Sequence, residues 1–131
     1  MLWNKQLETG VEQIDDQHKE LCRLVDSITD HDQDTKVEDT VAFLGNYVVR
    51  HFSDEEGLQA ASGYPELPGH KQLHANFIDA FLSLMKELTE ADDEEALQLA
   101  VMTINSTVVE WLRDHIMVHD RRFAEYYKVN A

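Results

Sequence analysis

Residues 51–74, HFSDEEGLQAASGYPELPGHKQLH, contain the sequence pattern that decides the fold. His51 and Glu55 are four residues apart, and so are His70 and His74. Side chains at this spacing lie on the same face of an α-helix, so each pair predicts a helix with two donor groups on one face. The SGYPELPG segment between the pairs contains both prolines of the chain and predicts a turn. This stretch therefore predicts two successive helices whose polar pairs lie beside the turn that joins them.

Two more breaks divide the rest of the chain. Residues 30–34 and 89–94 are acidic, whereas helix-forming residues with a helical apolar period dominate between the breaks. No strand-like alternation competes with this interpretation. Signals typical of helix starts are Thr35 with Glu38, Pro68, and Asp92 with Glu95. We therefore predict an all-α protein, an up-down-up-down four-helix bundle formed by a single domain that spans residues 1–131.

Each predicted helix carries a single apolar stripe when it is projected at about 100° per residue. The four stripes are Val11, Ile14, His18, Leu21, Val25 and Ile28; Val37, Leu44, Val48, His51, Glu55 and Leu58; His70, His74, Phe77, Phe81, Met85 and Leu88; and Leu97, Val101, Ile104, Val108, Trp111 and His115. The donor groups lie early in the first and third helices and late in the second and fourth. In a bundle of this topology they meet at one level. Burial of these groups is costly unless each is paired or coordinated, which indicates a metal site.

The predicted site contains imidazoles, which suit iron, copper and zinc, and carboxylates, which bridge hard cations. Six of its members follow from the stripes: His18, His51, Glu55, His70, His74 and His115. For a further ligand, helical spacing favours His119, which projects about 40° from His115, over Asp120, which projects about 140° away. Asp120 reaches inward only if the helix ends, kinks or contains a π-bulge at this point. From the residues alone, the choice between His119 and Asp120 stays open.

The composition excludes several classes of function. The chain has 131 residues and a net charge of −15, so it offers no basic stripe for nucleic acid and is repelled by an anionic membrane surface. Its one cysteine, Cys22, cannot form an intramolecular disulfide. The N-terminal sequence MLWNKQLETG lacks the apolar core of a signal peptide, and no apolar stretch approaches the roughly 18 residues of a membrane span. We therefore expect a cytoplasmic protein.

The complete pattern resembles the hemerythrin family, specifically its single-domain bacterial members. The residues that carry the resemblance are Trp3, Gly10, Val11, Ile14, Asp15, Gln17, His18, His51, Phe52, Glu55, His70, His74, Trp111, Leu112, His115, Ile116, Asp120 and Phe123. They extend almost from one end of the chain to the other. The full set of spacings is far more specific than a lone HxxxE or HxxxH motif.

The resemblance implies a non-haem di-iron centre inside the bundle. The histidine ligands implied for the two ions are His70, His74 and His115 for one, and His18 and His51 for the other. Glu55 and Asp120 bridge the ions, with an oxo or hydroxo group as the third bridge, so the family pattern favours Asp120 over His119. This set is one donor short of two six-coordinate ions, and the open position for dioxygen is on the iron with two histidines. The positions that match the family's oxygen pocket are Leu21, Phe52, Trp111, Leu112 and Ile116.

The resemblance also implies a function, namely reversible binding of dioxygen for storage or transport in the cytoplasm, without catalysis. A histidine-rich donor set in an apolar pocket favours reversible binding, whereas the carboxylate-rich sets of ferritin-like oxidases favour O–O cleavage. We expect an oxygen-consuming enzyme as the recipient, and we favour a monomer. Three alternatives stay open: an oxygen or redox sensor, a di-iron enzyme that reduces dioxygen, peroxide or nitric oxide, and an iron-storage protein.

Other polar residues receive simpler predicted roles. His31 lies in an acidic break and is expected to be exposed, and Cys22 is expected to be a small buried apolar residue. Glu56 projects about 100° from Glu55 and is expected on the surface. Asp15 and Asp16 are candidates to cap the first helix, or alternatively to orient a ligand imidazole.

Overall fold

The structure, a computed structural model, describes residues 2–29 and 37–130. Its elements are a 3₁₀ turn (Lys5–Leu7), the helices α1 (Glu12–Thr29), α2 (Val37–Ala61), α3 (Leu67–Glu90), α4 (Glu94–Asp114) and α5 (Arg121–Asn130), and a π-helical turn (His115–Asp120) between α4 and α5. No strand occurs within the two described ranges.

Helices α1 to α4 pack in a ring, in which α1 contacts α2, α2 contacts α3, α3 contacts α4, and α4 contacts α1. The connections at residues 62–66 and 91–93 are short, as expected between antiparallel neighbours. The predicted all-α four-helix bundle is therefore confirmed. The predicted break at 30–34, the capping signal at Thr35 and the predicted exposure of His31 lie outside the described residues.

The starts of α3 and α4 test the predicted boundary signals. Pro68 lies in the first turn of α3, as predicted, where its missing N–H costs no hydrogen bond. Helix α4 is capped by Asp93 rather than by Asp92, because the extended backbone of Asp93 lets its carboxylate accept a 2.7 Å hydrogen bond from the backbone N–H of Ala96. The prediction was wrong by one residue, since either aspartate fits an acidic helix start.

The start of α1 is fixed by Asp15. Its carboxylate accepts hydrogen bonds from the backbone N–H groups of Thr9 (2.8 Å) and Gly10 (3.0 Å), and from the Thr9 hydroxyl (2.7 Å). Gly10 has φ of +89°, a left-handed conformation that favours glycine where the chain turns into the helix. Asp15 therefore ties the segment before α1 to the first turn of the helix and does not accept from the helix N–H groups, so the predicted capping role was wrong; Asp16 is exposed.

The predicted apolar stripes match the buried faces of α1, α2 and α3, whereas the stripe predicted for α4 differs from the buried face of that helix. All six stripe residues of α1 are buried. In α4 the buried row consists of Ala100, Ile104, Val108 and Leu112. The predicted stripe member Trp111 is only partly buried. Because the predicted and the observed rows share Ile104 and Val108, the apolar period alone does not fix the rotation of α4 about its axis.

Two apolar clusters fill the bundle. The larger one includes Leu21, Phe52, Phe77, Ile104 and Ile116, and the smaller one comprises Val11, Ile14, Tyr64, Phe123 and Ala124. Along α1, His18 lies between Ile14 of the smaller cluster and Leu21 of the larger one. In the same way, Asp120 lies between Ile116 and Phe123. The chain thus forms a polar level between two apolar layers.

Candidate metal centre

Seven polar side chains meet at this polar level. They are His18 from α1, His51 and Glu55 from α2, His70 and His74 from α3, and His115 and Asp120 from the π-helical turn. Each of them is at most 4% exposed. The structure therefore brings together all seven residues that the sequence and the resemblance singled out. So many buried polar groups require compensation for the water that they lose.

The π-helical turn brings Asp120 to the centre. The backbone N–H of Arg121 donates to the carbonyl of Ile116, five residues earlier, instead of four as in an α-helix. This wider turn carries the Asp120 side chain inward, where it is 1% exposed. His119 is partly exposed, and its ring centroid lies 5.4 Å from that of His115. Of the three conditions named for bringing Asp120 inward, the π-bulge is the one that is present, and it decides which of the two side chains reaches the centre.

Three histidines and one oxygen of each carboxylate form the first half of the centre, which we call the three-histidine group. Its histidines are His70, His74 and His115. The Nε2 atom of His115 lies 3.1 Å from Nε2 of both other histidines. Glu55 Oε1 lies 2.8 Å from His70 Nε2 and 3.3 Å from His74 Nε2. Asp120 Oδ1 lies 3.1 Å from His70 Nε2 and from His115 Nε2.

His18 and His51 form the second half with the remaining carboxylate oxygens, and we call this half the two-histidine group. Asp120 Oδ2 lies 2.9 Å from His18 Nε2, and Glu55 Oε2 lies 3.9 Å from His51 Nε2. Each carboxylate therefore presents one oxygen to each group of histidines. This division is the arrangement in which a carboxylate bridges two cations.

The geometry of both groups fits metal ions. In each group the ligand atoms lie within 4.8 Å of one another. Neighbouring donors around an ion with bonds of about 2.0–2.1 Å are themselves about 2.8–3.4 Å apart, which matches most of the separations above. The oxygens of Glu55 and Asp120 and the nitrogens of His18 are buried but make no hydrogen bond of regular geometry within the described residues. A cation accommodates such converging lone pairs together.

Comparison with known proteins agrees with this geometry. A family model described as Hemerythrin HHE cation binding domain matches residues 9–127. The chain belongs to the hemerythrin family. It is 28% identical to a bacteriohemerythrin of Clostridium acetobutylicum over 95% of this chain and 98% of the relative. It is 29% identical to a bacteriohemerythrin of Ralstonia nicotianae (91% and 82% covered) and 26% identical to a myohemerythrin of Theromyzon tessulatum (92% and 88%). The resemblance recognised in the sequence is confirmed.

Burial and charge set the protonation of the two-histidine group and of the carboxylates. Burial, aided by repulsion from His18, lowers the pKa of His51 to about 4, so its imidazole is neutral at physiological pH. Burial opposes ionisation of Asp120, but the charge of the His115 imidazole and the other nearby histidines hold the Asp120 pKa well below its usual value. Burial and the charge of Asp120 oppose ionisation of Glu55, but its contacts with His70 and His74 together lower its pKa. Both carboxylates are therefore ionised, as metal ligands must be.

His70 differs from the other ligand candidates. Burial alone lowers the pKa of its imidazole, but its contacts with the Asp120 and Glu55 carboxylates outweigh burial and raise the pKa to about 9. In the metal-free protein His70 is therefore protonated at neutral pH. A metal ion that binds its Nε2 atom must displace this proton.

The outer nitrogens of two ligand candidates have side-chain partners that the sequence analysis did not identify. Nδ1 of His74 lies 2.7 Å from Oε2 of Glu56, and Nδ1 of His51 lies 2.6 Å from Oε1 of Gln17. The expectation that Glu56 is a surface residue was wrong, because its side chain reaches across to α3. The sequence signal that could have identified Gln17 was its position next to the predicted ligand His18. Asp15, the alternative candidate for orienting an imidazole, bonds the chain before α1 instead.

The residues predicted to line an oxygen pocket belong to the larger apolar cluster or pack against it, and two of them contact histidines of the centre. Leu21, Phe52, Leu112 and Ile116 are at most 3% exposed. The Phe52 ring stacks on that of His74, with centroids 3.8 Å apart. Trp111 is partly buried, and its ring stacks on that of His115 with centroids 4.3 Å apart. These contacts place apolar side chains directly against the imidazoles of two candidate ligands, His74 and His115.

Two further properties bear on the expectations from composition. Cys22 is 1% exposed, and burial raises the pKa of its thiol to about 12, so the thiol stays protonated, as expected of a buried apolar residue. Among the described residues, no helix combines the length and the apolar character that a membrane crossing requires.

Proposed function

We propose that the seven side chains hold two non-haem iron ions and that the protein binds dioxygen reversibly at them, for oxygen storage or transport. The observation that carries this proposal is the division of Glu55 and Asp120, each of which offers one oxygen to each histidine group. Membership of a family described as cation-binding supports the metal, and relatives named bacteriohemerythrin and myohemerythrin support the oxygen chemistry.

In this proposal the protein residues have distinct tasks. Two ferrous ions supply the electrons through which dioxygen is held and released. The imidazoles bind through Nε2, and Glu55 and Asp120 link the two positions. The two-histidine group offers fewer protein donors than the three-histidine group, so we assign the dioxygen position to it. The side chains that would hold the two ions come from different helices, so the fold would keep the two binding positions at a fixed separation.

The apolar residues around the centre restrict water. Leu21, Phe52, Leu112 and Ile116 are buried members of the larger apolar cluster, and Phe52 stacks on the imidazole of His74. Water and protons promote the loss of reduced oxygen species. A wall of apolar side chains that excludes water from the centre therefore favours the release of oxygen as dioxygen. Trp111, stacked on His115, forms the outer edge of this proposed pocket. This wall is what favours a carrier over a di-iron enzyme that turns dioxygen, peroxide or nitric oxide over.

An optical titration of the full chain tests the proposal. The reduced protein is loaded with Fe(II) without oxygen, its iron is counted, and dioxygen is admitted and then swept out with argon. Two irons per chain and an absorption band that argon abolishes are the expected results. A band that argon does not reverse, or uptake of many more than two irons, overturns the carrier in favour of a redox enzyme or an iron store.

A matched pair of variants links this readout to the carboxylate bridge. Glu55→Gln removes a buried charge shared by both histidine groups and is expected to lower the iron content below two per chain. Glu87→Gln makes the same chemical change on the exposed surface of α3 and should leave the iron content unchanged. Equal iron contents in both variants would contradict the bridging role.

The remaining expectations belong to the same proposal. We propose that the chain forms one domain, that it acts in the cytoplasm as a monomer, and that an oxygen-consuming enzyme receives the oxygen. The single cysteine gives no sign of an oxidising compartment, and the family match over residues 9–127 supports one domain.

A further inference from the structure

The two histidine groups differ in the chemical type of the side chain behind them. In the three-histidine group, Nδ1 of His74 contacts the carboxylate of Glu56 at 2.7 Å. In the two-histidine group, Nδ1 of His51 contacts the side-chain amide oxygen of Gln17 at 2.6 Å. Both imidazoles are almost completely buried. One half of the centre is thus backed by an anion and the other half by a neutral dipole.

The orientation of the Gln17 amide is fixed by Asp54. Nε2 of Gln17 lies 2.9 Å from Oδ2 of Asp54. An ionised carboxylate only accepts hydrogen bonds, so the Gln17 nitrogen must donate to it, and the Gln17 oxygen must face His51. That oxygen in turn only accepts, so Nδ1 of His51 carries the proton. The three side chains therefore leave the Nε2 lone pair of His51 free for the centre.

Other groups near the centre do not cancel this difference. Glu55 and Asp120 give one oxygen to each histidine group, so their charges act on both. Nδ1 of His18 is buried without a hydrogen-bond partner in the described part of the chain, so it adds no anion to the two-histidine group. The charge of Asp54 reaches His51 only through the neutral amide of Gln17, at a greater distance than that between Glu56 and His74.

A carboxylate behind an imidazole increases the electron donation of that imidazole to a metal, and it stabilises the more highly charged metal ion more than an amide does. We propose that Gln17 and Glu56 are positioning residues that would give the two irons unequal reduction potentials, so that a one-electron oxidant acting on the diferrous centre would take its electron from the three-histidine position. The amide of Gln17 keeps the iron at the two-histidine position ferrous after the other iron has been oxidised. This inference rests on the proposed di-iron site and adds a regulation of its redox state.

Two isosteric exchanges test the proposal in the full, iron-loaded chain. Glu56→Gln replaces the anion behind His74 with an amide. The double variant Gln17→Glu with Asp54→Asn exchanges the positions of the carboxylate and the amide in the hydrogen-bond series that ends at His51. The new amide at position 54 donates to the new carboxylate at position 17, which then lies directly behind His51. Both exchanges keep the number of hydrogen bonds. A purely structural role for these residues therefore predicts wild-type potentials.

Outer partners of metal ligands change metal affinity by about 10–100-fold, and a tenfold change in the ratio of ferric to ferrous affinity corresponds to roughly 59 mV for one electron. We expect Glu56→Gln to raise the potential of the first oxidation by at least this amount, and the double variant to lower the potential of the second. The potentials are measured by spectroelectrochemistry. One equivalent of ferricyanide takes one electron from the diferrous protein, and Mössbauer spectra then show which site is ferric.

Two results would overturn the inference without touching the proposed function. One is a pair of variants that bind two irons and keep wild-type potentials. The other comes from the metal-free wild-type protein, in which nitrogen NMR of the imidazoles is expected to show the proton of His51 on Nδ1; a proton on Nε2 contradicts the hydrogen-bond chain. Failure of the wild-type protein to bind two irons, by contrast, would contradict the proposed function itself.

Discussion

Oδ2 of Asp120 lies 2.9 Å from Nε2 of His18, and the π-helical turn makes this contact across the bundle. In a regular α-helix that continued α4, Asp120 would project about 140° from His115, away from the centre. One turn with a hydrogen bond to the fifth preceding residue removes this mismatch and leaves the preceding side chain, His119, partly exposed. The local departure from α-helical geometry thus selects the acid over the neighbouring histidine.

A first prediction separates these two neighbours. Asp120→Asn removes a carboxylate shared by both histidine groups, and we expect it to weaken iron binding at least about tenfold, measured as iron retained after gel filtration. His119→Gln changes a partly exposed side chain and should retain two irons per chain. Loss of iron in the His119 variant with full retention in the Asp120 variant would reverse the ligand assignment.

A second prediction concerns pH. The raised pKa of His70, about 9, means that below pH 9 a metal ion competes with a proton for this imidazole. The apparent affinity for Zn(II) should therefore rise by up to about tenfold per pH unit from this group between pH 7 and 9, and the contribution should level off above pH 9. Chelator competition at a series of pH values measures it. An affinity that does not change between pH 7 and 8.5 would contradict the raised pKa.

A third prediction concerns Gln59, whose side chain is fully buried one turn after Glu55. Neither end of its amide hydrogen-bonds to a protein group in the described ranges. An unpaired buried amide costs about 1–3 kcal/mol, so Gln59→Met should raise the free energy of unfolding by about this amount. Gln98→Met, at an exposed position of α4, should change it by no more than about 0.5 kcal/mol. Urea unfolding in one metal state compares them, and a destabilised Gln59 variant would refute the argument.

A fourth prediction uses two glycines of α2. A Cβ atom at Gly45 would lie 2.7 Å from Cε1 of the buried Phe81 ring, whereas a Cβ atom at Gly57 would meet nothing within 4 Å. Gly57→Ala should stabilise the protein by about 0.5–1 kcal/mol, because alanine loses less backbone entropy than glycine when the helix forms. Gly45→Ala should destabilise it by about 1–3 kcal/mol, because the added methyl group overpacks the contact with Phe81. Thermal or urea unfolding of both variants gives the difference. Equal stabilisation by both changes would show that α2 and α3 are not in close contact here.

The sequence predicted the parts of this protein that depend on the period of a single helix. The stripes of α1, α2 and α3 and the shared level of the donor groups follow from residue spacing, because spacing reports on which side of its own helix a residue lies. Spacing does not report which side chains of a neighbouring helix contact the sides of that helix. For this reason Glu56, about 100° from Glu55, was expected on the surface although it reaches His74, and the contact between Gln17 and His51 was not foreseen.

Two further details depended on information that spacing lacks. The stripe predicted for α4 contained Trp111, whereas packing buries the row with Leu112; the two rows share Ile104 and Val108, so spacing alone does not distinguish them. The choice of Asp120 over His119 needed the resemblance, since only a departure from α-helical geometry brings Asp120 inward. That the seven side chains bind iron remains a prediction for the titration described above.

The polar level inside the bundle also links the lifetime of the protein to its metal supply. Side chains from α1, α2, α3 and the π-helical turn all meet there, so ions held at this level would join segments that are distant in the chain. Ligands that bind only the folded state stabilise it in proportion to the logarithm of their free concentration. We expect the metal-free protein to unfold and to be proteolysed more readily than the loaded one. Cells short of iron would then clear this protein and return its amino acids for other uses.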